Sequence, residues 1–347
     1  MGRLLRYVRF PLLCCAVGLV AVFVSHGGFS PAGLEATWLT LVLLALEISL
    51  SFDNAVVNAR VLEHLSSGQQ RFFLSWGLVI SVFGVRFLGP LLLVSLAGGI
   101  GLGEALDAAL HHPEQYHALL ELAEPRILAF GGMFLVMVFL RYFIDEAKTL
   151  HWMEVLETRL SSAGRVPSLE VALALIILMG VAFVLPGSLR SDVLFAGLIG
   201  LVLQILSTSL AEFFGGGDRE LGRMAAQSGF ASLIHLELLD ASFSLDGAIG
   251  AFAITTDLAL IITGLGLGAL FIRSLTVMLS REKALDQLIY LEHGAHYAIG
   301  ALGLLMLAGI PLAQHQIHLP EWCAGLIGIV LLAIAFWDSM RHQRLKT

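Results

Sequence analysis

Apolar runs of roughly membrane-spanning length recur along the whole chain, at residues 10–25, 34–58, 74–98, 127–144, 169–185, 192–213, 230–255, 258–279, 289–310 and 322–338. A helix needs about 20 apolar residues to cross roughly 30 Å of hydrocarbon. The pattern therefore predicts an all-α, polytopic membrane protein of about ten transmembrane helices. Residues that end helices stand between the runs: Gly27-Gly28, Pro113, Pro167, Pro186, Gly215-Gly216-Gly217, Pro311 and Pro320.

Composition agrees with the pattern. Of 347 residues, 57% are hydrophobic and 14% charged, against roughly 25% charged in a soluble domain. An ordinary water-soluble protein and a disordered chain are both excluded, and the 36 glycines have no three-residue period. A net charge of -7 leaves no basic face for nucleic acid. Cys14, Cys15 and Cys323 offer neither a disulfide framework nor a metal-ligand spacing.

The basic residues set the orientation, because loops rich in Lys and Arg stay cytoplasmic. With both termini inside, nearly all of the twenty fall on the cytoplasmic side, only Arg126 and Arg190 face out, and Arg86 and Arg273 lie within runs. The expected location is the cytoplasmic (inner) membrane. The first run follows Arg3, Arg6 and Arg9, and Ser25 and Gly27 make a poor cleavage site. We read it as an uncleaved span rather than a signal peptide.

One internal repeat stands out. Glu47 to Val57 reads EISLSFDNAVV, and Asp240 to Gly250 reads DASFSLDGAIG. Glu47, Ser49, Ser51 and Asp53 thus correspond to Asp240, Ser242, Ser244 and Asp246 at identical spacing. The match continues more weakly from Arg86 to Leu88 (RFL) against Arg273 to Leu275 (RSL). The copies fall in the second and seventh runs, an odd offset, so they cross in opposite directions as an inverted repeat. In secondary transporters such repeats place a binding site near the midplane.

The acids are costly enough to require a purpose. Each Asp at a helix centre costs about 2.5 to 3.5 kcal/mol on an insertion scale, so four cost on the order of 10 kcal/mol. Such residues normally face a bundle interior or a watery cavity and mark ion paths. At 100° per residue Glu47, Ser51 and Asn54 share a stripe, whereas Ser49 and Asp53 point away from it. Either the helix opens near Ser49 to Ser51, as serine back-bonding and cavity-lining allow, or the two acids serve different sites.

Carboxylates, an amide, hydroxyls and freed carbonyls are hard ligands suited to Mn, Mg or Ca. The metal-site candidates are Glu47, Asp53, Asn54, Asp240 and Asp246. Ser49, Ser51, Ser242, Ser244, Glu237, Arg86 and Arg273 are supporting candidates. The serines have a plainer reading as interhelical hydrogen-bond partners. Each arginine either neutralises the acids when the site is empty or locks two helices together. His235, His293 and His296, with Glu212 and Glu292, are secondary candidates for carrying protons, though their places near run ends equally suit an interfacial role. The acid- and His-rich segment 99–126 reads as a solvated external loop. The tryptophans near run ends suit an aromatic belt.

EISLSFDNAVV, the Arg86 run, DASFSLDGAIGAFAI, the segment ending in IRSL, and YLEHGAHYAIG together resemble the TerC family of integral membrane proteins over roughly residues 34–310. FGGMFLVMVFLRYFIDEAK at 130–148 is similar to a TerC-related domain family without assigned function. The resemblance implies one membrane domain over 1–347, with a first TerC-like repeat at 34–144, connecting spans at 145–229 and a second repeat at 230–310. It also implies that Glu47, Asp53, Asn54, Asp240 and Asp246 match the family's membrane-embedded metal positions. Gly247 departs from the pattern, since many relatives carry serine there.

TerC-like proteins are linked to tellurite resistance, and bacterial members to manganese export. The leading expectation is a transporter exporting a divalent cation, manganese first, with no tightly bound cofactor and no enzymatic activity. Its partners are the lipid bilayer and the metal ion, and a homo-oligomer is compatible with it. The alternative is a membrane-protein assembly or metal/tellurite stress-response factor that does not transport. An intramembrane aspartyl enzyme is disfavoured, because the Gly-x-Gly-Asp match at Gly215 to Asp218 runs into Arg219 and Glu220 in an expected cytoplasmic loop.

Overall fold

The structure is a computed structural model. It describes residues 2–63, 65–77, 99–215, 257–317 and 322–346, with isolated positions at 79, 80, 84, 88, 91, 92, 94, 95, 234, 238, 251, 254 and 255. The described residues form helices and connections, with no strand among them. Six of these helices are long and apolar enough to cross a membrane: Tyr7–Ser25, Pro31–Leu50, Glu114–Phe143, Gly187–Ser209, Leu258–Arg281 and Leu291–Gln314. Many outward side chains are large and apolar, among them Leu13, Val17, Phe183 and Phe195, which points to lipid rather than water around them.

The chain forms two compact units. One comprises Met1–Glu124 with Leu236–Glu282, the other Pro125–His235 with Lys283–Thr347.

In the first unit, α1 (Gly2–Ser25) turns into α2 (Pro31–Leu50) at Gly27 and Gly28, which adopt φ of 98° and 60°, a region open to glycine. Ser30 caps α2 by accepting from the Gly33 N–H at 3.2 Å, with Pro31 opening the helix. α3 (Phe52–Glu63) follows at once, then α4 (Ser67–Phe72) and a π-helical turn at Phe73–Gly77. α5 is Leu102–His111, and α6, Pro113–Phe143, begins in this unit. α10 (Leu258–Arg281) is capped by Asp257, whose carboxylate accepts the Ala259 and Leu260 N–H groups. It packs along α2 and also against α1 and α3.

Residues 99–126 are not a loop. They form α5 and the first turns of α6, with Ala105, Ala108, Ala109, Tyr116, Leu120 and Ala123 buried. The acids Glu104, Asp107, Glu114 and Glu121 occupy the exposed positions between them. Pro113, expected to punctuate a loop, opens α6, a place where its missing N–H costs nothing. The run at 127–144 is accordingly the second half of a 31-residue helix.

In the second unit the later part of α6 is the core. Every residue from 131 to 138 is buried, as expected for a helix apolar on all sides. The unit also contains α7 (Glu154–Ala163), α8 (Leu169–Val184), α9 (Gly187–Gly215), the short α11 (Ala284–Gln287), α12 (Leu291–Gln314) and α13 (Trp322–Lys346), with α9 and α12 close against α6. α12 approaches α6 closely enough that a Cβ at Gly303 would stand 3.0 Å from the Gly132 carbonyl, a small-residue contact of the kind that membrane helices use. Pro311 lies inside α12, near its end, and does not terminate it.

Candidate functional site

The expected second span is not one helix. α2 ends at Leu50, Ser51 caps it with φ -102° and ψ 8°, and α3 begins at Phe52. The backbone keeps helical bonds from Ser51 N–H to the Glu47 carbonyl (3.0 Å) and from Ala55 N–H to the Ser51 carbonyl (3.1 Å). Between them the Asn54 N–H donates to Asp53 Oδ1 at 2.9 Å. The interruption falls within Ser49 to Ser51, where an opening was one of the two alternatives, and it puts Asp53 in the first turn of α3. A helix N-terminus stabilises a carboxylate there.

The polar side chains around this junction are almost wholly enclosed. Glu47 is 1% exposed, Ser51 2%, Asp53 5% and Asn54 0%, while Ser49 is half-buried. Ser51 Oγ donates to Glu47 Oε1 at 2.8 Å. The Glu47 stem lies under Gly268 of α10, where a Cβ would come within 2.6 Å of both its Cβ and its Cγ. Only glycine admits so close an approach. Asn58, one turn beyond Asn54, is 3% exposed, and its Oδ1 accepts no hydrogen bond among the described residues. Sequence reasoning passed it over, although its i+4 spacing from Asn54 was the available signal.

Arg273 is 4% exposed. Its guanidinium donates to the Phe73 and Gly77 carbonyls at 2.7 and 2.9 Å and lies 4.0 Å from the Phe73 ring. It thus ties α10 to the π-helical turn. Arg86, Glu237, Asp240, Ser242, Ser244 and Asp246 lie outside the described residues, as do His235 and the Glu212 side chain. Among the described residues no three His, Cys, Asp or Glu side chains converge on one point. The first copy of the repeat, with Asn58 just beyond it, thus supplies two enclosed carboxylates, two amides and a hydroxyl.

A second enclosed polar cluster lies in the other unit, centred on Glu157 of α7, whose side chain has no exposure. Its carboxylate accepts the Trp152 and Met153 N–H groups at 3.1 and 3.2 Å and the Tyr297 hydroxyl at 3.2 Å. Lys148 Nζ stands 3.3 Å from it, and His293 Nε2 3.4 Å. The Lys148 ammonium also sits 3.9 and 4.0 Å from the Tyr142 and Phe143 rings. Burial lowers the Lys148 pKa, and the Glu157 charge opposes that shift. Of these groups only His293 was singled out from the sequence. Lys148, Glu157 and Tyr297 carry no local signal, because their meeting depends on the fold.

No curated protein and no solved structure matches the chain. A family model described as a protein of unknown function, DUF475, matches residues 52–346. That range takes in α3 and most of the described helices, including both polar clusters apart from Glu47 and Ser51. The chain belongs to the DUF475 family.

Proposed function

We propose that this protein is a polytopic transporter of about ten spans in the cytoplasmic membrane that exports a divalent metal cation, manganese first among the candidates. The observation that carries the reading is the broken α2–α3 helix, which encloses Glu47, Ser51, Asp53 and Asn54 in a protein whose helices suit a lipid bilayer. Enclosed carboxylates are expensive unless they face a partner or an ion. An interrupted helix also offers backbone carbonyls as additional oxygen ligands.

The donor set fits a hard cation. Carboxylate, amide and hydroxyl oxygens are the ligands that Mn, Mg and Ca favour, and neither copy of the motif contains Cys or His. Asn58 Oδ1 adds a buried acceptor on the same stripe. In this reading Asp240 and Asp246 complete the site from an oppositely threaded second copy, and the TerC resemblance supports manganese as the cargo. The cation is substrate, held for one passage and then released.

Cells expressing Asp53→Asn or Asp246→Asn at wild-type protein levels should accumulate manganese and lose resistance to it. Manganese content equal to that of the wild type in both variants removes the proposal. If the protein instead serves membrane-protein assembly, partners co-purify with it and the neutral substitutions are tolerated.

A further inference from the structure

The Glu157 cluster joins α7 to two stretches of family-like sequence that the cation reading leaves without a task, RYFIDEAK at 141–148 and YLEHGAHY at 290–297. Its geometry is that of a site able to hold a proton in either of two states. His293 Nε2 lies 3.0 Å from the Leu150 carbonyl. A carbonyl only accepts, so Nε2 carries a hydrogen, and Glu157 Oε2 stands beside it. The other ring nitrogen, Nδ1, lies 3.3 Å from the Tyr142 hydroxyl. A hydroxyl both donates and accepts. With His293 neutral, Tyr142 donates to Nδ1; with His293 protonated, Nδ1 donates to Tyr142. Both states keep Nε2 on the Leu150 carbonyl and Nδ1 on the Tyr142 hydroxyl.

We propose that Tyr142, Lys148, Glu157 and His293 form a proton-binding site, distinct from the cation site, that takes up one proton at His293 Nδ1 by way of the half-buried Tyr142 hydroxyl. The Tyr142 hydroxyl passes its hydrogen to Nδ1 and takes one from water in exchange; it then accepts from Nδ1–H while its own hydrogen turns toward water. Charge is accommodated locally. Neutral His293 sits beside a balanced Lys148–Glu157 pair, and the added positive charge faces Glu157 and Glu292, with Asp145 beyond Lys148. The remaining polar neighbours are identified. From α12 itself, His296 stacks on Tyr142 with ring centres 3.5 Å apart, and Tyr297 bonds Glu157. On the preceding connections, Tyr290 approaches the His293 ring, and His151 is held by Ser161. From α13, His342 faces Tyr290, and Asp338 accepts from the Trp152 indole. The proposal does not depend on the cation reading.

The test is histidine-selective 15N NMR of the full chain in lipid nanodiscs across about pH 4 to 8, where histidine ordinarily changes charge. His293→Gln assigns the resonance by its loss. Tyr142→Phe assigns it independently, by perturbing Nδ1 while keeping the ring, should the first variant fail to fold. The expected result is a single-proton titration of His293, moved to higher pH by Lys148→Gln and to lower pH by Glu157→Gln, each by about half a unit or more. A His293 signal that stays constant over the range in the wild type and in Lys148→Gln makes the cluster a structural pin and overturns the proposal.

Discussion

At residue scale the cation reading rests on how enclosed polar side chains are satisfied. Ser51 Oγ gives Glu47 a donor inside the packed α2–α10 contact. Ser51→Ala removes that donor and leaves a buried carboxylate short of a hydrogen bond. It should destabilise the protein by about 1–3 kcal/mol, read as a lowered unfolding temperature in detergent; an unchanged temperature would mean that water already serves Glu47. Lys148 makes a prediction with a definite sign. Its folded pKa lies below the ordinary 10.5, so just under that value the unfolded chain binds more protons and stability rises with pH. As pH rises toward 10.5 the wild type should gain stability relative to Lys148→Met in thermal unfolding. A gap that stays constant over that rise contradicts burial as the dominant influence on Lys148.

At the scale of elements, much of what local chemistry dictates was legible in the sequence. Gly27-Gly28, read as punctuation between runs, turns the chain, and the helix expected from residue 34 begins at Pro31. The stripe made by Glu47, Ser51 and Asn54 already demanded a break if Asp53 was to share a site, and the helix is interrupted at Ser51. Residues 99–126 misled because charge density was read as solvent. In an amphipathic helix the acids occupy one face while Ala105, Ala108 and Ala109 bury the other. The close seating of α10 on α2 yields the element-scale prediction. Gly268→Ala places a methyl 2.6 Å from Glu47 Cβ and Cγ, so the helices must part. We expect a loss of about 1–3 kcal/mol together with weaker manganese binding. Normal stability with normal binding would show that α2 moves aside freely.

For the whole molecule, the apolar pattern foretold an all-helical membrane protein, and six helices meet the length and apolarity needed to cross a bilayer. The Lys148–Glu157–His293 cluster was beyond the sequence for a physical reason. Its parts come from the connection after α6, from α7 and from the start of α12, and neither a charge repeat nor a motif spacing links positions so far apart in the chain. The acid repeat was visible because evenly spaced carboxylates in apolar runs violate the ordinary cost of burial. Its first copy proves to be enclosed at a helix break. Manganese flux through purified protein in sealed vesicles tests whether this enclosure holds a hard cation for export. Flux is expected in the wild type, with its loss, by tenfold or more on the order of one lost charged ligand interaction, in both Asp53→Asn and Asp246→Asn. Manganese flux that persists undiminished in both folded variants would contradict the cation reading.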